Sequence, residues 1–284
     1  MARVLIAGCG YVGTALGELL ARDAHEVWGL RRKPMAYPAG VEAIEADLGL
    51  QRMLTDLPRD LDFVFFLAAP SGSDDAMYRS VYVDGLRNLL DAVAACDRLP
   101  RRIFFASSTG VYAQQRGEWV DESSPTEPTH FSGRRLLEAE AVLRASPIPS
   151  TAIRFGVIYG PRRTRLVDRV RSGGAVFRAK PPQYTNRIHR DDCAGMLRHL
   201  MALPVPEDLY VCVDCEPTVD VAVLSWLAGA LGAPAPRAAA RGEAPPGAAR
   251  GNKRCRNSRL LDSGYTFSYP TFREGYRVVL ADLT

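Results

Sequence analysis

The start of the chain places a glycine turn directly between a strand pattern and a helix pattern. Residues 4–7 form an apolar run of strand length, residues 8–13 read Gly-Cys-Gly-Tyr-Val-Gly, and apolar residues at helical spacing continue to residue 22. In a G-x-G-x-x-G motif with this context, the first glycine permits a tight turn and the second lets main-chain N–H groups approach a diphosphate. The third allows the helix to pack closely on the strand. The helix N-terminus adds free N–H groups and a positive dipole end. The motif predicts a dinucleotide site formed by Gly8, Gly10, Tyr11, Val12 and Gly13.

Strand-length apolar runs alternate with helical patterns through residue 160. We expect strands at residues 4–7, 26–30, 41–45, 62–68, 102–106 and 151–155, and helices at 12–22, 77–96 and 134–144. Strands without polar alternation, separated by helices, indicate a parallel sheet covered on both faces. The predicted fold class is therefore α/β: a doubly wound Rossmann sheet over residues 1–160 and a smaller substrate lobe over 161–284, partly interleaved with it.

The second half of the chain is less regular. Its patterns predict helices at residues 166–172, 190–202, 221–231 and 272–281, strands at 209–213 and 265–269, and a loop at 233–251. The loop is rich in Ala, Pro, Gly and Arg, and it lacks periodicity. The Asp191-Asp192 pair stands where the second of these helices begins, and the helix dipole favours acidic groups there.

Composition narrows the class of partner. The chain has 284 residues and a net charge of +4, from 36 basic and 32 acidic side chains. So small an excess does not indicate nucleic-acid binding, which needs clustered basic residues, but it suits an anionic small ligand. The sequence shows neither a signal peptide nor an apolar run near ~18 residues, so we expect a cytoplasmic protein without a membrane span. We interpret Cys212 and Cys215, a C-x-x-C pair within a strand pattern, as structural residues and predict no metal site.

The second predicted strand ends in Arg31-Arg32-Lys33. Sites that prefer NAD place an acidic residue near this point, to hold the ribose 2′-hydroxyl. A guanidinium group instead binds a 2′-phosphate through charge-assisted, forked hydrogen bonds. Arg31 and Arg32 therefore favour NADP as the cofactor. The alternative, a solvated basic turn, leaves NAD open.

With these residues in hand, the chain resembles the extended short-chain dehydrogenase/reductases, the NAD-dependent epimerase/dehydratase family, and most narrowly its atypical YeeZ-like branch. The resemblance covers essentially the whole length. It rests on AGCGYVG at residues 7–13, FFLAAP at 65–70, SSTGVY at 107–112, EWVDE at 118–122, RFGVIYGP at 154–161, NRIHRDD at 186–192, and the terminal Lys253-Arg254, Asn257, Tyr269-Pro270 and Glu274-Gly275.

The resemblance implies further cofactor contacts. Asp47 would lie near the adenine, Leu67, Ala68 and Ala69 would flank the nicotinamide side, and Phe155 and Val157 would border the nicotinamide ring. Ser107 would lie at the cofactor, and Ser108 matches the catalytic Ser/Thr that orients the carbonyl oxygen. In many relatives the helix predicted at residues 77–96 pairs subunits, so a homodimer is expected. Met77, Tyr78, Val81 and Tyr82 share helical spacing in that segment, and we interpret them as packing residues.

The chain departs from the family at its catalytic pair, Tyr-x-x-x-Lys, in which the tyrosine moves the proton. One alignment puts Ser132 at the tyrosine and Leu136 at the lysine, and a shift by one residue puts Phe131 and Arg135 there instead. Serine has a pKa far from neutral and phenylalanine has no proton to transfer. Arg135 keeps a permanent charge and is expected to hold the ribose or the diphosphate.

Other side chains are candidates for the missing roles. His130 precedes the vacated position and titrates in the useful range, and Tyr112 carries a phenol, so both join Ser108 as catalytic candidates. His189 lies in a segment that lines the substrate lobe in relatives. Arginines cluster around the sixth strand: Arg154, Arg162, Arg163, Arg165 and Arg169. Arg162 is the one we select, with His189, as a substrate residue, because arginines at this edge can bind a phosphate or carboxylate; a solvated surface explains the cluster equally well.

Two functions follow from these observations. The first is an NADP-dependent oxidoreductase, or an epimerase/dehydratase acting through transient oxidation, with a small polar and sugar-like substrate. The second is a dinucleotide-binding sensor or scaffold without turnover, which the loss of the Tyr-Lys pair favours. Fold and cofactor site alone do not establish chemistry.

Overall fold

The computed structural model describes residues 1–33, 36–240, 242–243 and 251–283. The predicted 233–251 loop therefore falls partly outside the described residues, at 241 and 244–250. The chain divides into two compact units. Unit 1 comprises Met1–Val111, Glu127–Arg154 and Cys193–Tyr210, and unit 2 comprises Tyr112–Thr126, Phe155–Asp192 and Val211–Thr284. Each unit is thus assembled from three chain segments.

The first half of the chain carries the predicted alternation. Its strands are β1 (Arg3–Ala7), β2 (Glu26–Arg31), β3 (Val41–Glu45), β4 (Phe63–Phe66), β5 (Arg102–Ser108), β6 (Glu118–Val120) and β7 (Ser150–Phe155). Its helices are α1 (Tyr11–Arg22), α2 (Asp75–Tyr78), α3 (Gly85–Ala94) and α4 (Phe131–Ala145), with a π-helical segment at Arg79–Asp84 between α2 and α3. The single helix predicted at residues 77–96 is therefore three consecutive helical segments.

The second half contains shorter elements. Its strands are β8 (Val157–Tyr159), β9 (Val176–Phe177), β10 (Tyr184–Thr185), β11 (Arg187–His189), β12 (Leu209–Cys212), β13 (Thr218–Val219), β14 (Arg237–Ala238) and β15 (Lys253–Cys255). Its helices are α5 (Arg165–Arg171), α6 (Arg190–Ala202), α7 (Asp220–Leu231), α8 (Ser258–Asp262) and α9 (Phe272–Ala281). None of the helices among the described residues combines the length and the apolar character needed to cross a bilayer.

The central sheet confirms the predicted fold class. Seven strands lie in the order β12-β7-β5-β4-β1-β2-β3, and the pairs from β5 across to β3 are parallel. The order reverses between β1 and β4, because the chain winds from β1 towards β3 and then returns to the other side of β1. In open α/β sheets, ligands bind at the carboxyl ends of the strands that flank such a reversal. Val4, Leu5, Ile6 and the β4 residues Val64–Phe66 are fully buried, as continuous apolar runs predict.

Unit 2 has its own apolar core, where α5, α7 and α9 pack together. Its buried members include Val167, Leu224, Leu227, Phe272 and Val279. The small strands lie in two-stranded pairs, β8 with β11, β9 with β14, β10 with β13 and β6 with β15. These strands are two or three residues long and pair segments that are far apart in the sequence. No periodic pattern in the sequence indicates where they lie.

The prediction of a strand at residues 265–269 is wrong. The segment is irregular, because its N–H groups bond to a carboxylate rather than to a neighbouring strand. The main-chain nitrogens of Ser268 and Tyr269 donate to the two oxygens of Asp192, at 2.8 and 3.0 Å. Asp192 also accepts from the Tyr265 hydroxyl at 2.9 Å. The Asp191-Asp192 pair does begin α6, but buried Asp192 ties two segments together as well.

Candidate functional site

The turn after β1 lies against the chain that follows β4. Gly8 has a φ of +90°, and a Cβ atom built on it would lie 2.2 Å from the nitrogen and 2.3 Å from the Cα of Ala68. Leu67 continues the sheet, since its N–H donates to Ala7 O at 2.7 Å. Both the backbone conformation and the close approach require glycine here. Leu67 and Ala68 are half-buried and Ala69 is exposed, at the edge where the strand order reverses.

The following residues leave space above the turn. A Cβ atom on Gly10 would meet only Gly8 O, at 3.9 Å. Gly10 is the N-cap of α1 and no side chain caps this helix, so the first-turn N–H groups at Tyr11 and Val12 point towards whatever lies before the helix. Gly13 packs the helix onto the strand, because a Cβ there would lie 2.9 Å from Ile6 Cγ2. The three glycines thus have the three geometries that a diphosphate-binding turn requires.

The end of β2 carries the positive charge expected beside this turn. Arg31 is the last residue of β2 and is half-buried, and Arg32 is exposed. Arg31 lies close enough to the Cys9 thiol and the Tyr37 phenol to influence the pKa values of both. Burial nevertheless raises the pKa of Cys9 to about 11 and that of Tyr37 to about 12, so both are neutral at physiological pH. Arg31 therefore places a positive charge at the end of β2, beside two side chains that are neutral.

Tyr37 is a residue that the sequence did not reveal. A Cβ on Gly29 would lie 2.8 Å from Cys9 Sγ and 3.2 Å from Tyr37 Cε2, so Gly29 makes room for both side chains beneath the turn. The Tyr37 hydroxyl is buried beside the Cys9 thiol. No periodicity marks position 37, because it lies in the connection between β2 and β3.

Asp47 follows β3 and closes a short turn. Its Oδ1 accepts from the N–H of Gly49 at 2.9 Å, and the side chain is half-buried. The carboxylate therefore has a defined orientation after the third strand. Its predicted role near the adenine stays a prediction.

Ser107 and Ser108 end β5 in different ways. Ser107 is buried, and its hydroxyl donates to Glu140 Oε1 at 2.6 Å. Glu140 is fully buried and bonds Arg154 through both carboxylate oxygens, at 3.1 and 2.8 Å. Ser107 is therefore bonded into the core, and its place at the cofactor stays a prediction. Arg154 is a buried ion-pair partner, which corrects the expectation that it belongs to a surface arginine cluster. Ser108 is half-buried, and its Oγ accepts from Gly110 N at 3.1 Å, which leaves its own proton available to donate.

The head of α4 packs against the loop after β5. A Cβ on Gly133 would lie 2.8 Å from Gly110 O, so glycine permits this close approach. His130 is the N-cap of α4: its Nδ1 accepts from Ser132 N at 3.3 Å and lies 2.8 Å from Ser132 Oγ. The His130 ring is exposed and packs on Phe131 with centroids 4.2 Å apart. The histidine predicted to be catalytic is thus a helix cap.

Arg135 makes an ion pair with α2. Its Nε and Nη2 donate to the two carboxylate oxygens of Asp75, both at 2.8 Å, and Nη1 donates to Glu138 at 2.7 Å. The Arg135 bonds hold the pKa of Asp75 below its ordinary value. Arg135 therefore links α4 to α2 and is not free to wrap a phosphate in this arrangement.

Three predicted residues of unit 2 are buried. The Tyr112 hydroxyl donates to Asp121 O at 2.7 Å, and only a few percent of Tyr112 and Phe155 is exposed. His189 is fully buried between Tyr159 and Tyr269, at ring-centroid distances of 5.3 and 4.0 Å. Burial lowers the pKa of His189 to about 4, so the ring is neutral. Tyr112 and His189 are therefore packing residues, and the structure does not offer them to a ligand.

Two other predicted ligand contacts, Val157 and Arg162, lie at least partly at the surface. Val157 is half-buried and its N–H donates to Asn186 O at 2.8 Å, as part of the β8–β11 pairing. Arg162 is exposed and has a φ of +65°. Arg163 beside it donates from Nη1 to Ile158 O at 3.0 Å. Of the arginines selected from the sequence, Arg162 stays a prediction for a substrate anion.

Neither thiol of the C-x-x-C pair forms a disulfide. Cys212 is buried in β12, Cys215 is exposed, and both are free. Asn257 Nδ2 lies 3.6 Å from Cys215 Sγ. Among residues 1–33, 36–240, 242–243 and 251–283, no group of three or more His, Cys, Asp or Glu side chains is placed to hold a metal ion.

The crevice between β1 and β4, with its glycine turn and uncapped helix, is the geometry of a dinucleotide-binding sheet. A family model confirms the assignment: the model of the NAD dependent epimerase/dehydratase family matches residues 4–176. The chain belongs to this family. The resemblance seen in the sequence is therefore confirmed, and the family match covers the glycine turn, the ends of β4 and β5, and the altered head of α4.

Three relatives match over nearly the whole chain. A NAD-dependent epimerase/dehydratase candidate from Methylobacillus flagellatus is 38% identical, with a TM-score of 0.81, over 99% of this chain and 98% of that one. The epimerase family protein SDR39U1 of Bos taurus is 27% identical over 98% of this chain and 100% of its own length. Human SDR39U1, solved with NADPH, is 19% identical with a TM-score of 0.81, over 98% of this chain and 99% of that one. Other structures of this fold hold NAD.

Proposed function

We propose that the protein binds NADP(H) in unit 1 and uses it as an oxidoreductase on a small polar substrate. The observation that carries the proposal is the crevice at the strand reversal. There, Gly8 abuts Ala68 through its backbone, Gly10 leaves open space, and α1 begins without a side-chain cap. These groups fit a diphosphate, because main-chain N–H groups and a helix dipole need no other partner to hold one. When bound, the nicotinamide supplies or accepts a hydride.

The choice of NADP over NAD rests on Arg31. Arg31 ends β2, where a guanidinium can bind a 2′-phosphate through forked hydrogen bonds and an acidic residue would repel it. Human SDR39U1 was solved with NADPH, which supports the same choice. Asp47 after β3 supplies a polar group on the adenine side of the proposed site.

Direct titration tests the cofactor assignment. NADPH and NADH are titrated separately into the wild-type protein and followed by nucleotide fluorescence. We expect NADPH to bind at least about tenfold more tightly, a difference of ~1.4 kcal/mol. Arg31→Asp is expected to abolish or reverse that preference. Arg22→Asp makes the same charge change at the far end of α1, where Arg22 is exposed, and is expected to leave the preference intact.

Two results would contradict the cofactor assignment. Equal affinity for the two nucleotides in the wild-type protein would remove the preference for NADP. No affinity for either nucleotide would remove the whole site.

A second function, a dinucleotide-binding sensor or scaffold without turnover, is favoured by the head of α4. Phe131 and Ser132 stand where the family has its tyrosine, and His130 is used as a cap. A panel of aldehydes, ketones and sugar nucleotides, followed by NADPH absorbance, separates the two functions. Consumption above the protein-only rate supports the enzyme, and saturable NADPH binding without consumption supports the sensor. The homodimer and the cytoplasmic location stay predictions.

A further inference from the structure

The head of α4 lacks a phenol, and the polar groups closest to it in sequence are already engaged. Ser132 Oγ lies 2.8 Å from His130 Nδ1, and the same nitrogen accepts from Ser132 N. At the end of β5, Ser108 Oγ accepts a hydrogen bond from Gly110 N. If the protein reduces a carbonyl or oxidises an alcohol, a different side chain must exchange the proton with the substrate oxygen.

Tyr78 lies against the vacated position. Its ring meets the ring of Phe131 edge-on, with centroids 5.4 Å apart and an interplanar angle of 90°. Tyr78 ends α2, the first helix after β4, and Phe131 begins α4, the first α-helix after β5. Both residues therefore come from the carboxyl edge of the sheet, the edge at which such sheets bind ligands. Tyr78 is half-buried, so its side chain is partly open to solvent.

An ion pair holds Tyr78 in this place. Arg135 on α4 grips Asp75 on α2 with two bonds of 2.8 Å. Asp75 and Tyr78 are three residues apart on one helical turn, so their side chains share a face. The guanidinium thus lies on the face that carries the phenol. In one alignment Phe131 stands at the position of the family tyrosine and Arg135 at the position of the family lysine. Helix α2 then places the Tyr78 phenol against Phe131 and the Asp75 carboxylate against Arg135.

Tyr82 is the other phenol in this part of the molecule, and it suits the role less well. Its ring packs on Phe105 of β5 at 6.2 Å and on Tyr78 at 5.5 Å. Burial raises the pKa of Tyr82 well above its ordinary value, which makes it a poorer proton donor. The π-helical segment Arg79–Asp84 begins directly after Tyr78. Such segments are rare and frequently occur at functional sites.

We propose that Tyr78 is the proton-transfer residue of this protein, in place of the family tyrosine. The inference rests on the proposed function. In the reducing direction the substrate carbonyl carbon gains a hydride from the reduced nicotinamide dinucleotide, and its oxygen takes the phenolic proton of Tyr78. The carbonyl becomes an alcohol, and the Tyr78 phenolate regains a proton from solvent, to which the side chain is partly exposed. Ser108 donates to the same substrate oxygen.

Tyrosine labelled with ¹³C at Cζ makes the proposal measurable without a known substrate. The ring of NADP⁺ carries a positive charge, and an opposite charge within ~4–6 Å lowers the pKa of a phenol by about one unit or more. The Tyr78 resonance, identified as the one lost in Tyr78→Phe, is expected to titrate at least about one pH unit lower with NADP⁺ than without it. NADPH, whose ring is neutral, is the ligand control.

Two variants make the test specific. Tyr82→Phe, the matched control on the same helical run, is expected to keep the NADP⁺-dependent resonance. Tyr78→Phe combined with Phe131→Tyr returns a phenol to the family position and is expected to create a new resonance with the same dependence. Any reductase activity found in the substrate panel should fall at least about 100-fold in Tyr78→Phe and recover in the double variant.

The outcomes separate this inference from the cofactor assignment. A Tyr78 resonance that does not move in protein saturated with NADP⁺ overturns the proposal while the cofactor site stands. A shifted resonance that persists in Tyr78→Phe also overturns it. Protein that binds neither NADP⁺ nor NADPH contradicts the proposed function itself.

Discussion

A Cβ atom at Gly8 would lie 2.2 Å from the main-chain nitrogen of Ala68, so the turns after β1 and β4 touch through their backbones. Gly10, two residues later, faces open space. Gly8 is therefore required by the fold, whereas Gly10 has a role only in the proposed binding of a diphosphate, and substitutions can separate the two.

Gly8→Ala is expected to lower the free energy of unfolding by about 2 kcal/mol or more, because it combines a φ of +90° with a clash against backbone. Gly10→Ala is expected to change it by less than about 1 kcal/mol while weakening NADPH binding at least tenfold, since the new methyl group occupies space that the diphosphate needs. Urea denaturation and NADPH titration measure the two effects. Unchanged NADPH affinity in Gly10→Ala would remove the diphosphate from this turn.

The buried ion pair beneath β5 is expected to be sensitive to one-sided changes. Glu140→Gln leaves the Arg154 guanidinium buried without a charge partner, and we expect a loss of about 3 kcal/mol in unfolding free energy. Glu138→Gln makes the same change two residues earlier on α4, where the side chain is half-exposed, and should cost less than about 1 kcal/mol. Chemical denaturation of both variants is the measurement. Equal losses would show that Arg154 finds another partner or reaches water.

The buried carboxyl of Asp214 is expected to make stability depend on pH. Burial raises its pKa to about 8, against the opposing charge of Arg187, while Glu216 and Asp192 raise it further. Between pH 4 and 8 the folded state then binds more protons than the unfolded state, so stability falls as the pH rises, by at most ~1.4 kcal/mol per pH unit.

His189 confines this test to a narrower window. Its depressed pKa of about 4 produces the opposite slope between pH 4 and 6.5. From pH 6.5 to 8 the Asp214 effect is therefore the cleaner of the two. Thermal unfolding across that window should show a falling Tm in the wild-type protein and a flatter profile in Asp214→Asn. A Tm that rises over the window in the wild-type protein would mean that Asp214 is ionised in the folded state.

Gly275 in α9 is expected to be intolerant of even one methyl group. A Cβ there would lie 2.0 Å from the Tyr159 hydroxyl oxygen, whereas a Cβ on Gly229 in α7 would meet nothing within 4 Å. We expect Gly275→Ala to lower the unfolding free energy by about 2 kcal/mol and Gly229→Ala to raise it by about 0.5–1 kcal/mol. Both variants are compared in one denaturation series. A neutral Gly275→Ala would show that Tyr159 can move aside.

The sequence predicted those parts of the site that depend on local order. The pattern over residues 4–22 predicted a strand, a glycine turn and a helix, and β1 and α1 lie at those positions. The helix at 272–281 begins with a capping box. The Thr271 side chain accepts a hydrogen bond from an N–H group of the first turn, and the Glu274 side chain accepts one from the N–H of Thr271. Such signals operate over three or four residues, so a linear pattern contains them.

The side chains predicted to contact a ligand were less predictable, because their availability depends on partners far along the chain. Ser107 bonds Glu140, 33 residues away, and Arg135 bonds Asp75, 60 residues away. The family resemblance placed His189 in a segment that lines the substrate lobe, yet the side chain is fully buried. Tyr78 was interpreted as a packing residue, and its contact with Phe131 at the head of α4 exists only in the folded chain.

The sequence by itself determined the class of fold, the glycine turn after β1 and the loss of the Tyr-Lys pair, because each depends on which residue stands at a fixed spacing. The tertiary structure decided which polar groups are already bonded and which stay available, and it brought α2 against α4 through Arg135 and Asp75. The physical reason is that burial and ion pairing depend on segments that meet only after the chain has folded.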